Sequence, residues 1–130
     1  MNYSKPTQKQ ESIFKSTLDC CFTIHTKLGP GLLESAYEKC LAHELSKKGH
    51  QVKLQLPMPL VYDEIHLDAG YRIDIFVDQE VIVELKSVDA LAPIHLAQVL
   101  TYMKLAEVKL GLLINFNVKH LKDGIKRVIL

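Results

Sequence analysis

GYRIDIFVDQEVIVELKSV, residues 70–88, decides the fold because it contains two strand patterns joined by a short acidic turn. In residues 71–78 and again in residues 81–87, apolar side chains alternate with other side chains, the period-two pattern of a strand with one buried face. Pairing the apolar faces sets Val77 opposite Val81 and, further along the strands, Asp74 opposite Glu84. The segment therefore predicts an antiparallel hairpin that brings these two carboxylates together.

The predicted carboxylate pair requires a compensating positive charge. Directly opposed side chains have Cβ atoms roughly 4.5–5.5 Å apart, where like charges destabilise the sheet. Two carboxylates and a main-chain carbonyl suit Mg²⁺ or Mn²⁺, and Lys86 follows Glu84 on the same face, within reach of a metal-bound water or a phosphate. The alternative is an ordinary hairpin with a solvated polar face. Phe76 and Ile82 share that face, which indicates that another element covers it.

The composition predicts one globular domain spanning residues 1–130, since 48% of the residues are hydrophobic and 24% are charged. No apolar run approaches transmembrane length and the N-terminus lacks the apolar segment of a signal peptide, so we expect a cytoplasmic protein without a membrane partner. The three cysteines lack CxxC spacing and the six histidines form no HxxxH pair. This pattern argues against a disulfide framework and a zinc site.

The charge distribution is uneven although the net charge is only +1. Residues 51–100 carry eight acidic and three basic side chains, whereas residues 101–130 carry two acidic and six basic ones. An acidic centre beside a basic C-terminal third would suit a metal site next to a phosphate-contacting surface. The same distribution is also compatible with an ordinary soluble protein.

Two helices are expected before the strands. An apolar stripe in residues 12–28 predicts a scaffold helix that ends at Gly29, and a second helix should begin near Leu32 and end near Lys48, followed by a glycine. Glu34 lies in the first turn of this second helix, where the helix dipole alone favours a carboxylate. The functional alternative is a third acidic group directed toward the hairpin.

The remaining elements complete an α/β (α+β) order of ααβββαβ with an optional C-terminal strand. Residues 51–56 and 60–67 have strand patterns, residues 109–116 read as a buried strand, and residues 125–130 could form the last strand. Between them, a helix beginning near Pro93 would bury one face. His95, Gln98 and Tyr102 would form its polar stripe, which is either an exposed edge or a set of partners for a lysine or phosphate.

These residues carry a family resemblance. Asp74, followed by Glu84-Leu85-Lys86 and then Gln98-xxx-Tyr102, resembles the active-site signature of the PD-(D/E)XK nuclease superfamily. GLLESAY, residues 31–37, matches the motif that names the GxxExxY protein family within that superfamily. The resemblance covers nearly the whole chain, since further family blocks are similar to GYRIDIFV, VIVELKSV, AQVLTYMKL, GLLINFNV and LKDGIKR.

The resemblance implies a mixed four-stranded sheet flanked by helices and a metal-dependent active site. Asp74 and Glu84 would hold Mg²⁺ or Mn²⁺ with the Leu85 carbonyl, and Glu34 would complete the acidic cluster. Lys86 would orient or deprotonate the attacking water. Gln98 and Tyr102 would position Lys86 or the substrate backbone. The implied chemistry is metal-assisted phosphodiester hydrolysis of nucleic acid, with DNA favoured.

Two classes of function remain open from the sequence. The first is an endo- or exonuclease, favoured by the intact Asp74, Glu84 and Lys86. The second is a nucleic-acid- or protein-binding accessory module with a nuclease fold that is inactive alone, favoured by the modest net charge and the lack of a separate recognition module. A homodimer would reconcile them by doubling the basic surface, and a metal-free structural protein is the third alternative.

Overall fold

The computed structural model describes residues 5–68 and 70–130. The helices and strands, in chain order, are α1 (Gln8–Leu28), α2 (Glu34–Lys47), β1 (Val52–Pro57), β2 (Leu60–Tyr62), β3 (Ile65–Leu67), β4 (Arg72–Val77), β5 (Val81–Lys86), α3 (Pro93–Ala106), β6 (Leu110–Asn115), a short 3₁₀ helix (Leu121–Gly124) and β7 (Ile125–Ile129).

Five of the strands form one mixed sheet in the order β1-β4-β5-β6-β7. β4 is antiparallel to both of its neighbours, and β7 is antiparallel to β6. β5 and β6 are parallel, so they require a crossover connection, which α3 provides. The family resemblance implies a mixed four-stranded sheet; the observed sheet has these features and includes β7, the optional C-terminal strand, as a fifth member. The predicted fold class is therefore confirmed.

Residues 60–67 differ from the prediction of one short strand. They form β2 and β3, an antiparallel pair outside the main sheet. The chain reverses at Asp63, whose backbone is left-handed with a φ of 51°, a conformation that aspartate tolerates better than most residues. Every residue of β3 is exposed, so this hairpin stands at the surface.

Helices cover both faces of the main sheet and create two buried clusters. On one face, residues of α1 and α2 pack on the apolar side chains of β5 and β6. On the other face, Phe76 and Ile82 belong to a cluster with Val99 and Met103 of α3. α3 is thus the element that covers the face on which the sequence places both apolar and acidic side chains. Within the described ranges, no helix combines the length and apolarity needed to cross a membrane.

The alternation in β4 changes at Asp74. Ile75 and Val77 face α1 and α2 as predicted, but Ile73 packs in the cluster beneath α3. Tyr71, which alternation places with the core residues, is 45% exposed. Gln55 lies opposite Asp74 in the paired strand β1. The backbone of Gln55 is left-handed, with a φ of 50°, and interrupts the regular pleat at this position.

Both early helices begin at residues other than those the hydrophobic pattern indicates. α1 starts earlier because Thr7 and Gln10 form a reciprocal capping box, with each side chain accepting a backbone N–H of the other residue. α2 starts at Glu34 instead of Leu32, because Gly31 has a left-handed φ of 101° and Leu33 is extended. Glu34 is consequently the first helical residue.

Asn115 fastens the end of β6 to the segment that follows β5. Its side-chain oxygen accepts the N–H of Val88 at 3.1 Å, and its amide nitrogen donates to the Val88 carbonyl at 2.9 Å. Gly124 packs against the backbone of Asn115, where an added Cβ would lie 2.2 Å from the carbonyl oxygen. This close approach explains a glycine at the turn into β7.

A second polar cluster lies at the turn end of the β4–β5 hairpin. The His50 ring lies with Nε2 2.7 Å from Ser16 Oγ and Nδ1 2.6 Å from Asp78 Oδ2. The order of contacts is that of a serine hydrolase triad, but Ser16 lies inside α1, where backbone N–H groups are already hydrogen-bonded and cannot stabilise an oxyanion. His50 therefore ties α1 to the turn between β4 and β5.

Candidate active site

Asp74 and Glu84 meet where the backbone ladder between β4 and β5 ends. The ladder runs from Val77–Val81 to Ile75–Val83, in the predicted register, and no backbone pairing continues beyond it. In its place, the Asp74 N–H donates to Glu84 Oε1 at 3.2 Å, and the Leu85 N–H donates to Asp74 Oδ2 at 2.9 Å. The two carboxylates thus replace ladder hydrogen bonds and are held beside each other.

Gln55 connects Asp74 to α2. It occupies the position of β1 opposite Asp74, between the pairs Leu54–Ile75 and Leu56–Ile73. Its side-chain amide donates to Glu38 Oε2 at 2.9 Å and to Asp74 Oδ1 at 3.4 Å. Glu38, one turn after Glu34, therefore faces the same site as Asp74.

Glu34 is hydrogen-bonded to the residue that follows β5. Its Oε1 accepts the Ser87 N–H at 3.2 Å, and the Ser87 hydroxyl donates to the Leu32 carbonyl at 2.6 Å. Tyr37 supports this loop, since its hydroxyl donates to the Gly29 carbonyl at 2.5 Å and accepts the Leu32 N–H at 3.2 Å. The motif's tyrosine is thus buried scaffold, whereas its glutamate is fixed next to Lys86.

The site concentrates negative charge in a poorly solvated position. Glu84 is only 3% exposed, and burial, followed by the charge of Asp74, raises the pKa of Glu84 to about 8. Burial also raises the pKa of Glu38, and the charges of Asp74 and Glu34 act in the same direction. Glu38 therefore lies within electrostatic reach of Asp74, and the added acidic group makes the site attractive to a cation.

The oxygen donors of the pair fit a hard divalent cation. Glu84 Oε1 and Asp74 Oδ2 each accept one N–H, and a carboxylate has further lone pairs. The Lys86 carbonyl accepts the N–H of Phe116 on the β6 side, so alternation directs the Leu85 carbonyl toward β4 and the carboxylates. Mg²⁺ binds through one or two carboxylates and keeps several waters, which suits this donor set.

A larger acidic cluster is not assembled by the described residues. Within residues 5–68 and 70–130, no group of three or more His, Cys, Asp or Glu side chains stands ready to hold a metal ion. Glu34 is engaged by the Ser87 N–H. Its role as a metal ligand stays a prediction, as do the ligand roles of Asp74, Glu84 and Leu85.

Lys86 lies at the end of β5, on the face that carries Glu84. Its side chain is partly buried, and it belongs to none of the salt bridges formed by the described part of the chain. Its charge counteracts the rise of the Glu84 pKa. The ammonium therefore lies within electrostatic reach of Glu84, and no described carboxylate forms an ion pair with it.

α3 brings Gln98 and Tyr102 to the same end of the sheet. The Gln98 amide donates to the Tyr102 hydroxyl at 3.1 Å, and Tyr102 is 4% exposed. Burial raises the pKa of Tyr102, and the charge of Glu84 contributes, so the tyrosine lies within electrostatic reach of the carboxylates. The side-chain hydrogen bond shown by the described residues joins Gln98 to Tyr102 and does not involve Lys86. That Gln98 and Tyr102 position Lys86 or the substrate therefore stays a prediction.

A groove of about 400 Å³ runs beside Tyr102 between α3 and the chain at the start of β4. We call it the Tyr71 groove. Its walls are Leu60, Tyr71, Ile94, Ala97, Gln98, Thr101, Tyr102 and Leu105.

Sequence reasoning missed Glu38, Gln55 and Tyr71 as members of this region. Glu38 could have been found from its i,i+4 spacing to Glu34, which places both on one side of α2. The place of Gln55 in the site could be predicted only with the register of β1 on β4. Tyr71 was assigned to the core by alternation alone, and nothing local in the sequence indicates the change of pleat.

Comparison with known proteins agrees with this geometry. A family model described as the PD-(D/E)XK nuclease superfamily matches residues 11–128, a span that contains every residue of the site. No curated protein and no solved structure matches the chain.

Proposed function

This chain belongs to the PD-(D/E)XK nuclease superfamily, and we propose that it hydrolyses phosphodiester bonds in nucleic acid, with DNA as substrate and Mg²⁺ or Mn²⁺ as cofactor. The observation that carries the proposal is the pairing of Asp74 with Glu84 at the end of the β4–β5 ladder. A buried carboxylate beside a second one destabilises the fold when ionised. Such a pair is expected where a cation is to be bound.

Each residue of the site has a role that its position supports. Asp74 and Glu84, with the Leu85 carbonyl, would hold the cation, which supplies an acidic water and neutralises charge that develops on the phosphate. Lys86 would contact the attacking water or a phosphate oxygen. Glu34, through the Ser87 N–H, would hold the end of β5 and add negative charge to the rim of the site.

Gln98 and Tyr102 would orient the groups around this centre. The hydrogen bond from the Gln98 amide fixes the Tyr102 hydroxyl, which leaves the hydroxyl proton available to an oxygen of the substrate or to a water. Because Tyr102 is buried in the cluster beneath α3, its position is set by the fold and requires little ordering when substrate binds.

Hydrolysis of labelled single- and double-stranded DNA and RNA with Mg²⁺ or Mn²⁺ tests the proposal. We expect cleavage by the wild-type protein that EDTA abolishes and that Asp74→Asn or Lys86→Ala lowers at least about 100-fold, the scale of loss for an electrostatic catalytic group. Glu80→Gln, in the turn of the same hairpin, is the matched control and should retain activity. Cleavage in EDTA, or undiminished cleavage by both site variants, would contradict the proposal.

The second candidate function is a binding module that is inactive without a partner. It is favoured by the exposure of Val61, Tyr62 and Ile65, each more than half exposed on the β2–β3 hairpin, because exposed apolar groups are typical of interaction surfaces. Wild-type protein that binds Mn²⁺ yet cleaves none of the four substrates would support this function. Light scattering tests the homodimer: a monomeric mass would count against it.

A further inference from the structure

None of the described residues that line the Tyr71 groove carries a charged side chain. Of its eight residues, two are aromatic, four are aliphatic, and Gln98 and Thr101 are polar and neutral. A phosphate would find no cation in such a groove, and a charged peptide group would be poorly solvated there. A flat, neutral, heteroaromatic group with hydrogen-bonding edges suits these walls better.

The two aromatic residues of the groove wall differ in exposure. Tyr71 and Tyr102 meet edge to face, with ring centroids 6.5 Å apart and planes at 63°. Tyr102 is 4% exposed, whereas Tyr71 is 45% exposed. Tyr102 is thus the buried member of the pair and packs against Tyr71, and the exposed part of Tyr71 can be contacted by a planar group.

The groove adjoins the proposed active site. Tyr71 precedes Asp74 by three residues in the chain, an extended distance of roughly 10 Å. Tyr102 forms part of the groove wall, and the charge of Glu84 contributes to the raised pKa of Tyr102. A strand whose phosphate lies at the carboxylates would therefore carry the base of a neighbouring nucleotide toward the groove.

From this juxtaposition we infer that the Tyr71 groove receives one unpaired base of a single-stranded substrate, stacked on Tyr71 next to the phosphate that is cleaved. The inference rests on the proposed nuclease function. It names single-stranded nucleic acid as the substrate class, because a base inside a duplex has both faces covered by its neighbours and cannot reach a protein ring without leaving the stack.

Binding measured without hydrolysis tests the inference separately from the nuclease proposal. The probe is a fluorescently labelled 12-nucleotide dT strand, titrated with the 130-residue chain in EDTA and followed by anisotropy, with a blunt duplex of the same strand for comparison. We expect tighter binding of the single strand, and about 10-fold weaker binding by Tyr71→Ala, the scale of one lost base–aromatic stack. Tyr71→Phe should bind as the wild type does, because it keeps the ring.

Phe22→Ala is the matched control, since Phe22 is 41% exposed on α1 and does not line the groove. A strand of the same length with every base removed provides the second arm, because a dT strand with one abasic position could shift and place another base in the groove. Removal of the bases should weaken wild-type binding at least as much as Tyr71→Ala does, and should weaken binding by Tyr71→Ala less. Circular dichroism confirms that the variants fold.

Several results would overturn the inference: equal affinity for single strand and duplex, no loss with Tyr71→Ala, or no saturable binding of the strand by wild-type protein. A lower molecular mass for Tyr71→Ala in light scattering, with unchanged strand affinity, would assign the groove to a second copy of the chain instead. Tyr71-dependent binding without cleavage in the Mn²⁺ assay would refute the nuclease proposal alone. Cleavage with Tyr71-independent binding would refute the groove assignment alone.

Discussion

Replacing Glu84 with glutamine should stabilise the metal-free protein at alkaline pH. Glutamine has the shape of a protonated glutamate, so it can still accept the Asp74 N–H, and its amide can donate to the Asp74 carboxylate. The wild-type carboxyl must ionise at alkaline pH in a site that excludes water and already contains Asp74. The variant avoids that ionisation.

The magnitude follows from the pKa of Glu84. Folding raises it from an ordinary 4.5 to about 8, and each pKa unit corresponds to about 1.4 kcal/mol. The upper limit of the effect is therefore about 5 kcal/mol, and relaxation of the site with entry of water should reduce it to about 2–4 kcal/mol. Because the folded pKa is the higher one, the stability associated with protonated Glu84 is complete below pH 4.5 and is lost as the pH rises through 8.

Urea unfolding in EDTA, followed by circular dichroism at pH 5 and pH 9, measures this effect. The free energies of unfolding of the wild type and Glu84→Gln should differ by less than about 1 kcal/mol at pH 5, and the variant should be more stable by about 2–4 kcal/mol at pH 9. Glu80→Gln controls for the loss of one carboxylate from the hairpin. A variant that is less stable at pH 9, or a difference that does not depend on pH, would refute the electrostatic account of the pair.

Three further substitutions test the framework around the site. Gly124→Ala should lower the free energy of unfolding by about 1–3 kcal/mol, because the new methyl group would lie 2.2 Å from the Asn115 carbonyl oxygen; unchanged urea unfolding would show that the turn has room. Tyr37→Phe keeps the stacking on Phe116 but removes the hydroxyl bonds to Gly29 and Leu32, so it should cost about 1–2 kcal/mol in urea unfolding and lower nuclease activity. Full activity of Tyr37→Phe would show that these hydrogen bonds to the Gly29–Leu32 loop do not contribute to catalysis. His50→Ala should lower the thermal midpoint, through a loss of about 1–3 kcal/mol, because Ser16 and Asp78 lose their shared partner, without affecting Mn²⁺ binding; lost Mn²⁺ binding would contradict its assignment as a brace.

The fold was predictable where a segment carries its own periodicity. The register of β5 on β4 follows from two alternating patterns joined by a short turn, and the observed pairs Val77–Val81 and Ile75–Val83 confirm it. The apolar run at residues 109–116 predicted a fully buried strand, and β6 is buried along its whole length. Phe76 and Ile82 correctly indicated that an element covers their face, and α3 is that element.

The details of the site depend on contacts between distant segments, which periodicity cannot supply. Asp74 and Glu84 were expected to be a cross-strand pair, but the ladder stops before them and their side chains bind backbone N–H groups instead. The left-handed Gln55, its bridge to Glu38 and the exposure of Tyr71 arise from the packing of β1 and α3 on β4. Each of these features requires the assembled sheet.

Calorimetric titration of the metal-free protein with Mn²⁺, beside Glu84→Gln and Glu80→Gln, tests the central claim most directly. The account predicts saturable binding by the wild type and by Glu80→Gln, and no binding by Glu84→Gln, because that variant removes one of the two carboxylates that meet at the end of the β4–β5 ladder. Equal binding by all three proteins would place the metal elsewhere. Absence of binding by the wild type would contradict the assignment of Asp74 and Glu84 as a metal site.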